Sequence, residues 1–402
     1  MATEPREAVK ILADSVAVMG TEEINLENAA GRVLAEDIIA KENVPSFDRS
    51  PYDGYAFRAE DTAGAADEKP VILKVIENIR AGQQASSVIT GGCAIRLMTG
   101  APLPEGADAI CKYEDTDFTD TQVAIRQKYR SGENVIRAGE DISKGSQLAR
   151  RGSVIDAGLT GIMASLGMLK VPVYKRLKAG IISTGDEVVG AESVPVPGKI
   201  RNSNRYTIAA ALDGIGADTL YLGHAADDIK DIKDLIIKGE RECDIIISTG
   251  GVSAGDYDLV PDAMEGSGYE ILVRGVRMKP GMACAYGLKE GKIMLALSGN
   301  PASSLTNLQC ICYPALKKLA GYRDYDHKLI KLKLKNECKK AGKGTRFLRG
   351  RLELEDGEAY LDFPKEQGNV VISSAAFCNV YGIVADMQAP VPEGTLVDAF
   401  LI

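Results

Sequence analysis

AGIISTGDE, residues 179–187, reads as a short apolar strand that runs straight into a glycine-bearing acidic loop. The pattern returns in CDIIISTGGVS at 243–253, where the apolar run enters Thr249-Gly250-Gly251-Val252-Ser253, and in KIMLALSGNP at 292–301, where it enters Ser298-Gly299-Asn300-Pro301. Helical patterns around RYTIAAAL and DDIKDIKDLIIKG flank a further strand, DTLYLG, and a long helix follows Pro301. This alternation from Lys178 to Leu319 predicts an α/β layer with a mostly parallel sheet. In such sheets ligands sit at the carboxyl ends of strands, where glycines let backbone N–H groups approach an anion. One such loop reads as a tight turn; three at strand ends point to a phosphate or oxyanion site, with Ser183, Gly185, Gly250, Gly251, Ser253, Ser298, Asn300 and Pro301 as candidate contacts.

Outward from this layer the texture changes. Val9, Leu12 and Val16 after Pro5 predict an amphipathic helix. Short β-prone runs between Phe47 and Asp141 (VILKVIENI, CAIRLM, ADAICKYE, QVAIRQKY) are split by Gly, Pro and Asp, as in a β-rich lobe. Helical periodicity returns over Val154–Met168, and this helix is expected to pack on the first. LIKLKLK alternates, and Asp356-Gly357 between RGRLELE and EAYLDF predicts a hairpin. The expected class is multidomain α/β plus β. The divisions are a discontinuous helical linker domain at 1–45 with 142–176, a β-rich domain at 46–141, the α/β domain at 177–322 and a small β-barrel-like domain at 323–402.

Composition narrows the partners. The 402 residues carry a formal net charge of −8, so no general attraction to nucleic acid or anionic lipid is expected and an anionic ligand needs local donors. The eight cysteines and two histidines form no zinc or redox spacing. No stretch reaches the apolar length of a membrane span and no signal core opens the sequence, so a cytoplasmic protein is expected.

Carboxylates accompany the glycine loops: Asp186 and Glu187 after the first, Asp256 and Asp258 after the second. Hard oxygen ligands beside an anion cradle suggest magnesium, and each acid reads equally well as a helix cap or a solvated charge. Arg274, Arg277, Lys279, Arg346 and Arg349 could hold anions, though each alone reads as a surface charge. In the β-rich lobe, turn chemistry accounts for PSFDRSPYDGYAFR, RLMTGAPLPEGADAI and RAGEDI without any function.

Taken in order, these motifs resemble the molybdopterin molybdotransferase family, which includes bacterial MoeA and the E domain of gephyrin. The pattern SxxDGYA, TGAxxPxGADA, GED, STGDE, GGVSxG, KPG, GNP, RG and QG is matched from Ser50 to Gly368. The resemblance implies a molybdopterin-binding α/β domain in a homodimer whose site lies between subunits. It implies adenylylated molybdopterin and molybdate as substrates, magnesium as the metal, and as partners the molybdopterin adenylyltransferase and recipient molybdoenzymes. Asp53, Thr99, Asp141, Glu187 and Asp258 become catalytic candidates; Asp186, Glu187, Asp256 and Asp258 become metal ligands. The oxyanion positions of the family fall on Lys279, Met282, Ser303, Arg349 and Asn369, where Met282 replaces a lysine and Asn369 a serine. Two other readings stand beside the transferase: a pterin-binding scaffold that has lost turnover, favoured by those two replacements, and a generic magnesium phosphohydrolase, which leaves the N-terminal motifs unexplained.

Overall fold

The computed structural model describes residues 2–252, 259–339, 344–385 and 390–402. The chain divides into two compact units, one of Met1–Glu36, Arg151–Asp156 and Lys170–Ile402, the other of Asp37–Arg150 and Ala157–Leu169.

The first unit holds the α/β layer. Its sheet runs in the order Asp218–Ala225, Lys178–Thr184, Ile245–Thr249, Lys292–Leu297, Cys284–Lys289 and Glu270–Arg274. The first four strands are parallel, and Cys284–Lys289 runs against both of its neighbours. Successive side chains on a strand point to opposite faces, so an uninterrupted apolar run buries both. Ile181, Ile247 and Leu295 enter a core with Ile208 and Leu212 of the helix Asn204–Asp213. Ile182, Ile246 and Met294 enter another with Ile232 and Ile236 of the helix Ile229–Glu242. That second helix starts where Asp228 accepts the N–H groups of Lys230 and Asp231 at 2.8 and 3.2 Å, an N-cap worth about 1 kcal/mol. The chain leaves Lys178–Thr184 toward one side of the sheet and returns on the other through Ile245–Thr249. The helices that follow the first two strands therefore cover opposite faces, and the crevice between the strand ends lies at Thr184 and Thr249.

The expected long helix after Pro301 runs as Pro301–Asn307, a wider π turn at Leu308–Cys312, and Tyr313–Leu319. Pro314 has no N–H for a regular helical bond, and the wide turn comes just before it. In the same unit, Thr345–Glu355, Glu358–Asp362, Ile330–Leu334, Leu396–Leu401 and Val380–Val384 form a ring that closes back on Thr345–Glu355. This is the small C-terminal barrel the alternation suggested. The hairpin turns at Asp356 and Gly357, with φ of 50° and 81°, as a two-residue primed turn requires. Met278–Lys279 adds to the barrel beside Thr345 and Arg346.

The second unit has a six-stranded mixed sheet, in which Gly54–Phe57 lies between Ala109–Lys112 and Cys93–Leu97. The two helices expected to pack together fall in different units. Pro5–Asp14 buries Ala8 and Leu12 in the core that holds Leu316 and Leu319. Ala157–Ser165 belongs with the second unit, where Leu166 just beyond it packs with Ala40 and Ile142.

His327 stacks on Phe400 with ring centroids 3.8 Å apart, and its Nε2 lies 3.1 Å from the Cys310 carbonyl oxygen. Burial lowers its pKa to about 4 from the ordinary 6.5. The unfolded chain takes up this proton near pH 6.5, whereas the folded chain resists until about pH 4. The stability is therefore complete above pH 6.5 and is lost as pH falls toward 4, by about 3 kcal/mol at most. Denaturant unfolding of wild type and His327→Gln at pH 7 and pH 4.5 is expected to show a clearly shallower acid loss in the variant. Equal slopes would remove His327 from the acid response.

Candidate active site

Three strand-end loops meet in the α/β layer. A Cβ on Gly250 would lie 2.5 Å from Thr184 Oγ1, and one on Gly299 would lie 3.4 Å from the Gly250 Cα. The Gly250 N–H donates to the Leu297 carbonyl at 3.0 Å, and the Thr184 hydroxyl donates to the Thr249 carbonyl at 3.3 Å. Only glycine at 250 lets these backbones approach so closely, and its φ of 102° lies where side chains are strained. Gly185 has a φ of 117°, and a Cβ there would strike Glu187 Oε2 at 2.5 Å. The bare Cα thus leaves room for the Glu187 carboxylate to fold back over the loop.

Asp186 and Glu187 are exposed on this loop. The Asp186 and Asp227 amides each donate to the other's carboxylate, at 3.4 and 3.3 Å, and His224 Nε2 lies 2.8 Å from the Gly185 carbonyl oxygen. Ser183 is buried, its hydroxyl accepting from Asn202 Nδ2 at 2.8 Å. Ser298 is also buried, and its hydroxyl accepts the Asn300 N–H at 3.2 Å. Asn300 and Pro301 open the following helix. Gly251, with φ of 64°, continues the second loop. Ser253, Asp256 and Asp258 lie outside the described residues, and among the described residues no group of three or more His, Cys, Asp and Glu is placed to hold a metal ion.

A second cluster surrounds Arg349 on the barrel strand Thr345–Glu355. Its side chain is fully buried, and among the described residues it makes no ion pair within 4.0 Å. Nε donates to the Ser374 hydroxyl at 3.0 Å, one terminal nitrogen to the Thr306 hydroxyl at 3.2 Å and the other to the Gly368 carbonyl at 3.4 Å. Gln367 clamps the Arg349 backbone, accepting its N–H at 3.0 Å and donating to its carbonyl at 2.9 Å. Burial pushes the guanidinium pKa below its ordinary value. Ser303, likewise buried, donates its N–H to the Asn369 carbonyl at 3.2 Å, and the Gly281 backbone packs on Ser303. Ser303, Arg349 and Asn369, scattered in sequence, are thus joined through a single network. Lys279 and Met282 are exposed beside it, on the loop that carries Gly281.

In the second unit Asp53 Oδ1 accepts both the N–H and the hydroxyl of Thr99, at 2.7 and 2.8 Å. The amide bond first, then the hydroxyl bond, holds this carboxyl below the usual carboxylate range. The pair faces an open cleft of about 480 Å³ bordered by Tyr52, Lys112 and Glu114. Asp141 is held elsewhere in this unit, its N–H donating to the Val44 carbonyl at 3.1 Å.

The description "MoeA N-terminal region (domain I and II)" matches residues 3–167, "Probable molybdopterin binding domain" residues 180–318 and "MoeA C-terminal region (domain IV)" residues 331–402. A molybdopterin molybdenumtransferase of Staphylococcus epidermidis is 35% identical over 349 residues, covering 87% of this chain and 83% of that protein. One from Staphylococcus aureus is 33% identical over 378 residues, covering 93% and 90%. The chain belongs to the MoeA family. The crystal structure of a molybdopterin biosynthesis MoeA protein from Pyrococcus horikoshii superposes with a TM-score of 0.86 at 30% identity, covering all of both chains.

Several MoeA side chains at these clusters were hidden from sequence reasoning. Asn202 stands just before a helix and Asn204 opens it, and the Asn202 side chain caps it by accepting the Arg205 N–H at 3.1 Å. Both are also buried, and Asn204 Nδ2 donates to the Gly299 carbonyl at 2.8 Å. Thr306 and Ser374 carry no motif, Gln367 enters only as part of the QG pattern, and it is the fold that brings all three to Arg349.

Proposed function

We propose that this chain hydrolyses adenylylated molybdopterin, releases AMP and inserts molybdate into the dithiolene. The observation that carries this reading is the Arg349 guanidinium, buried without an ion-pair partner among the described residues. A buried cation costs several kcal/mol unless an anion joins it, and molybdate is a dianion with the matching geometry. Two of the Arg349 bonds go to neutral acceptors on one short segment, Gly368 and Ser374. Molybdate replaces those two acceptors on the guanidinium, with Ser303, Lys279 and Asn369 completing the oxyanion site.

The strand-end loops take the other half of the reaction. Gly185, Gly250, Gly251 and the Ser298-Gly299-Asn300-Pro301 turn present small residues and backbone N–H groups to the phosphates, with Ser183 bracing the first loop and Ser253 contributing from the second. The exposed oxygens of Asp186 and Glu187 fit a divalent cation, and Asp256 and Asp258 would complete the set. Magnesium bound there supplies charge neutralisation to the phosphoanhydride. Glu187 orients the attacking water. Asp53, fixed by Thr99, and Asp141 act from a second subunit of a homodimer. The four-part domain division and a cytoplasmic location belong to the same reading, as do the adenylyltransferase that supplies the substrate and the molybdoenzymes that receive the product. Among the described residues no helix is long and apolar enough to cross a membrane.

Purified protein incubated with adenylylated molybdopterin, magnesium and molybdate is expected to release AMP and yield molybdenum cofactor. Unaltered substrate would sink the transferase reading. Met282 is 60% exposed, so the lysine that the family pattern carries there has room. Met282→Lys is expected to tighten molybdate binding about three- to tenfold, less at high salt, in a titration followed by calorimetry. Unchanged affinity would separate residue 282 from the oxyanion.

A further inference from the structure

We infer that the segment Lys199–Arg205 grips the nucleotide half of the substrate, an inference that rests on the adenylylated-pterin reading above. Lys199, Arg201 and Arg205 place three cations within seven residues of an acidic chain, and among the described residues none makes an ion pair within 4.0 Å. Cations left unpaired while the chain carries a net charge of −8 form a local anion-attracting surface.

The segment is anchored to two of the strand-end loops. Ile200 and Arg201 pair in parallel with Val188 and Val189, directly after the Gly185 loop. The Ile200 N–H donates to the Glu187 carbonyl at 2.8 Å, and Lys199 Nζ donates to the Asp186 carbonyl at 2.7 Å. The buried Asn202 side chain donates to Ser183 at the end of its strand, and the buried Asn204 side chain donates to Gly299 in the third loop. The asparagines turn inward and brace the loops, while Lys199 and Arg201 remain exposed.

Arg205 adds a planar surface. Its guanidinium lies 4.0 Å from the centroid of the Tyr221 ring and 5.1 Å from that of Tyr206, and Tyr206 is 50% exposed. A guanidinium stacked on aromatic rings suits a planar base, and exposed cations beside it suit the attached phosphate. A purine mononucleotide has both parts. The segment therefore orients the adenylyl group while the acids of the Gly185 loop face the phosphoanhydride.

AMP titrated into the full-length protein tests this, with Arg201→Ala, Arg205→Ala and Arg205→Lys as variants and a thermal melt for each. AMP affinity is expected to fall about tenfold or more in both alanine variants. Arg205→Lys keeps the charge and loses the plane, so it recovers only a small part, and molybdate affinity stays at the wild-type value in all three. AMP affinities within twofold of wild type in every folded variant overturn the proposal, even where wild type releases AMP from the adenylylated pterin. Failure of wild type to release AMP overturns the underlying reading instead. If Arg205→Ala does not fold, Arg205→Lys and Arg201→Ala decide the matter.

Discussion

Arg349→Met is expected to abolish molybdate insertion while leaving the folded protein about as stable as wild type. The two effects come apart because the arginine is buried without an ion-pair partner among the described residues. Replacing a buried charge with an apolar side chain of similar length removes a desolvation cost of several kcal/mol, and such exchanges are often neutral or stabilising. Little is left unpaired: Thr306 still donates to the Ala302 carbonyl at 2.7 Å and Ser374 to the Val371 carbonyl at 2.5 Å. The Gly368 carbonyl loses the guanidinium but keeps the Val371 N–H at 3.3 Å. The expected change in unfolding free energy is within about 2 kcal/mol of zero. If molybdate binds where proposed it loses the buried guanidinium of Arg349, and insertion is expected to fall about 100-fold or more, since a charge-assisted pair in a water-poor site is worth several kcal/mol. AMP release, proposed above for the strand-end cluster, is expected to persist. A variant that unfolds would make Arg349 a structural cation, and one that inserts molybdate normally would remove the oxyanion from this pocket.

The two clusters differ in how far the chain announces them. The strand-end loops were legible because their signal is local: an apolar run, then Thr-Gly-Asp-Glu or Thr-Gly-Gly, is a strand and its turn wherever it occurs. The hairpin at Asp356-Gly357 was legible for the same reason. Arg349 was not. An arginine in TRFLRG reads as a solvated charge by default, and its burial depends on Thr306, Gln367 and Ser374, which arrive from a different helix and from beyond the next strand. Without the family pattern, nothing near Ser303 or Asn369 points to a shared site, because the bond between them links two backbones rather than two motifs. The packing partner of the first helix was hidden on similar grounds. The amphipathic stripe of Pro5–Asp14 shows that it must bury Leu12, and leaves open against what; it packs with Leu316 and Leu319, more than 300 positions on. Asn202 and Asn204 were silent in the sequence, since an asparagine that caps a helix and one that braces a loop look alike, and Asn202 does both.

Glu187→Gln is expected to lower AMP release about 1,000-fold with the fold intact, the usual scale for losing a group that moves a proton or holds a metal at the reacting phosphate. The substitution preserves size and removes only the charge. Glu187 is exposed, and its backbone carbonyl, which accepts from Ile200, is untouched. Stability is therefore expected to change by no more than about 0.5 kcal/mol. Near-normal release would dismiss this carboxylate from the chemistry. The same variant probes where Asp53 acts. If Asp53 of one subunit serves Glu187 of the other, Asp53→Asn and Glu187→Gln damage opposite sides of one site. When the two inactive variants exchange subunits, about half of the dimers become mixed and one of the two sites in each is whole, so about a quarter of wild-type release returns. If both residues serve a site within one chain, every site in the mixture keeps a lesion and no activity returns. Release near a quarter after mixing, set against none for either variant alone, therefore discriminates between a site completed by a neighbour and one each chain builds for itself.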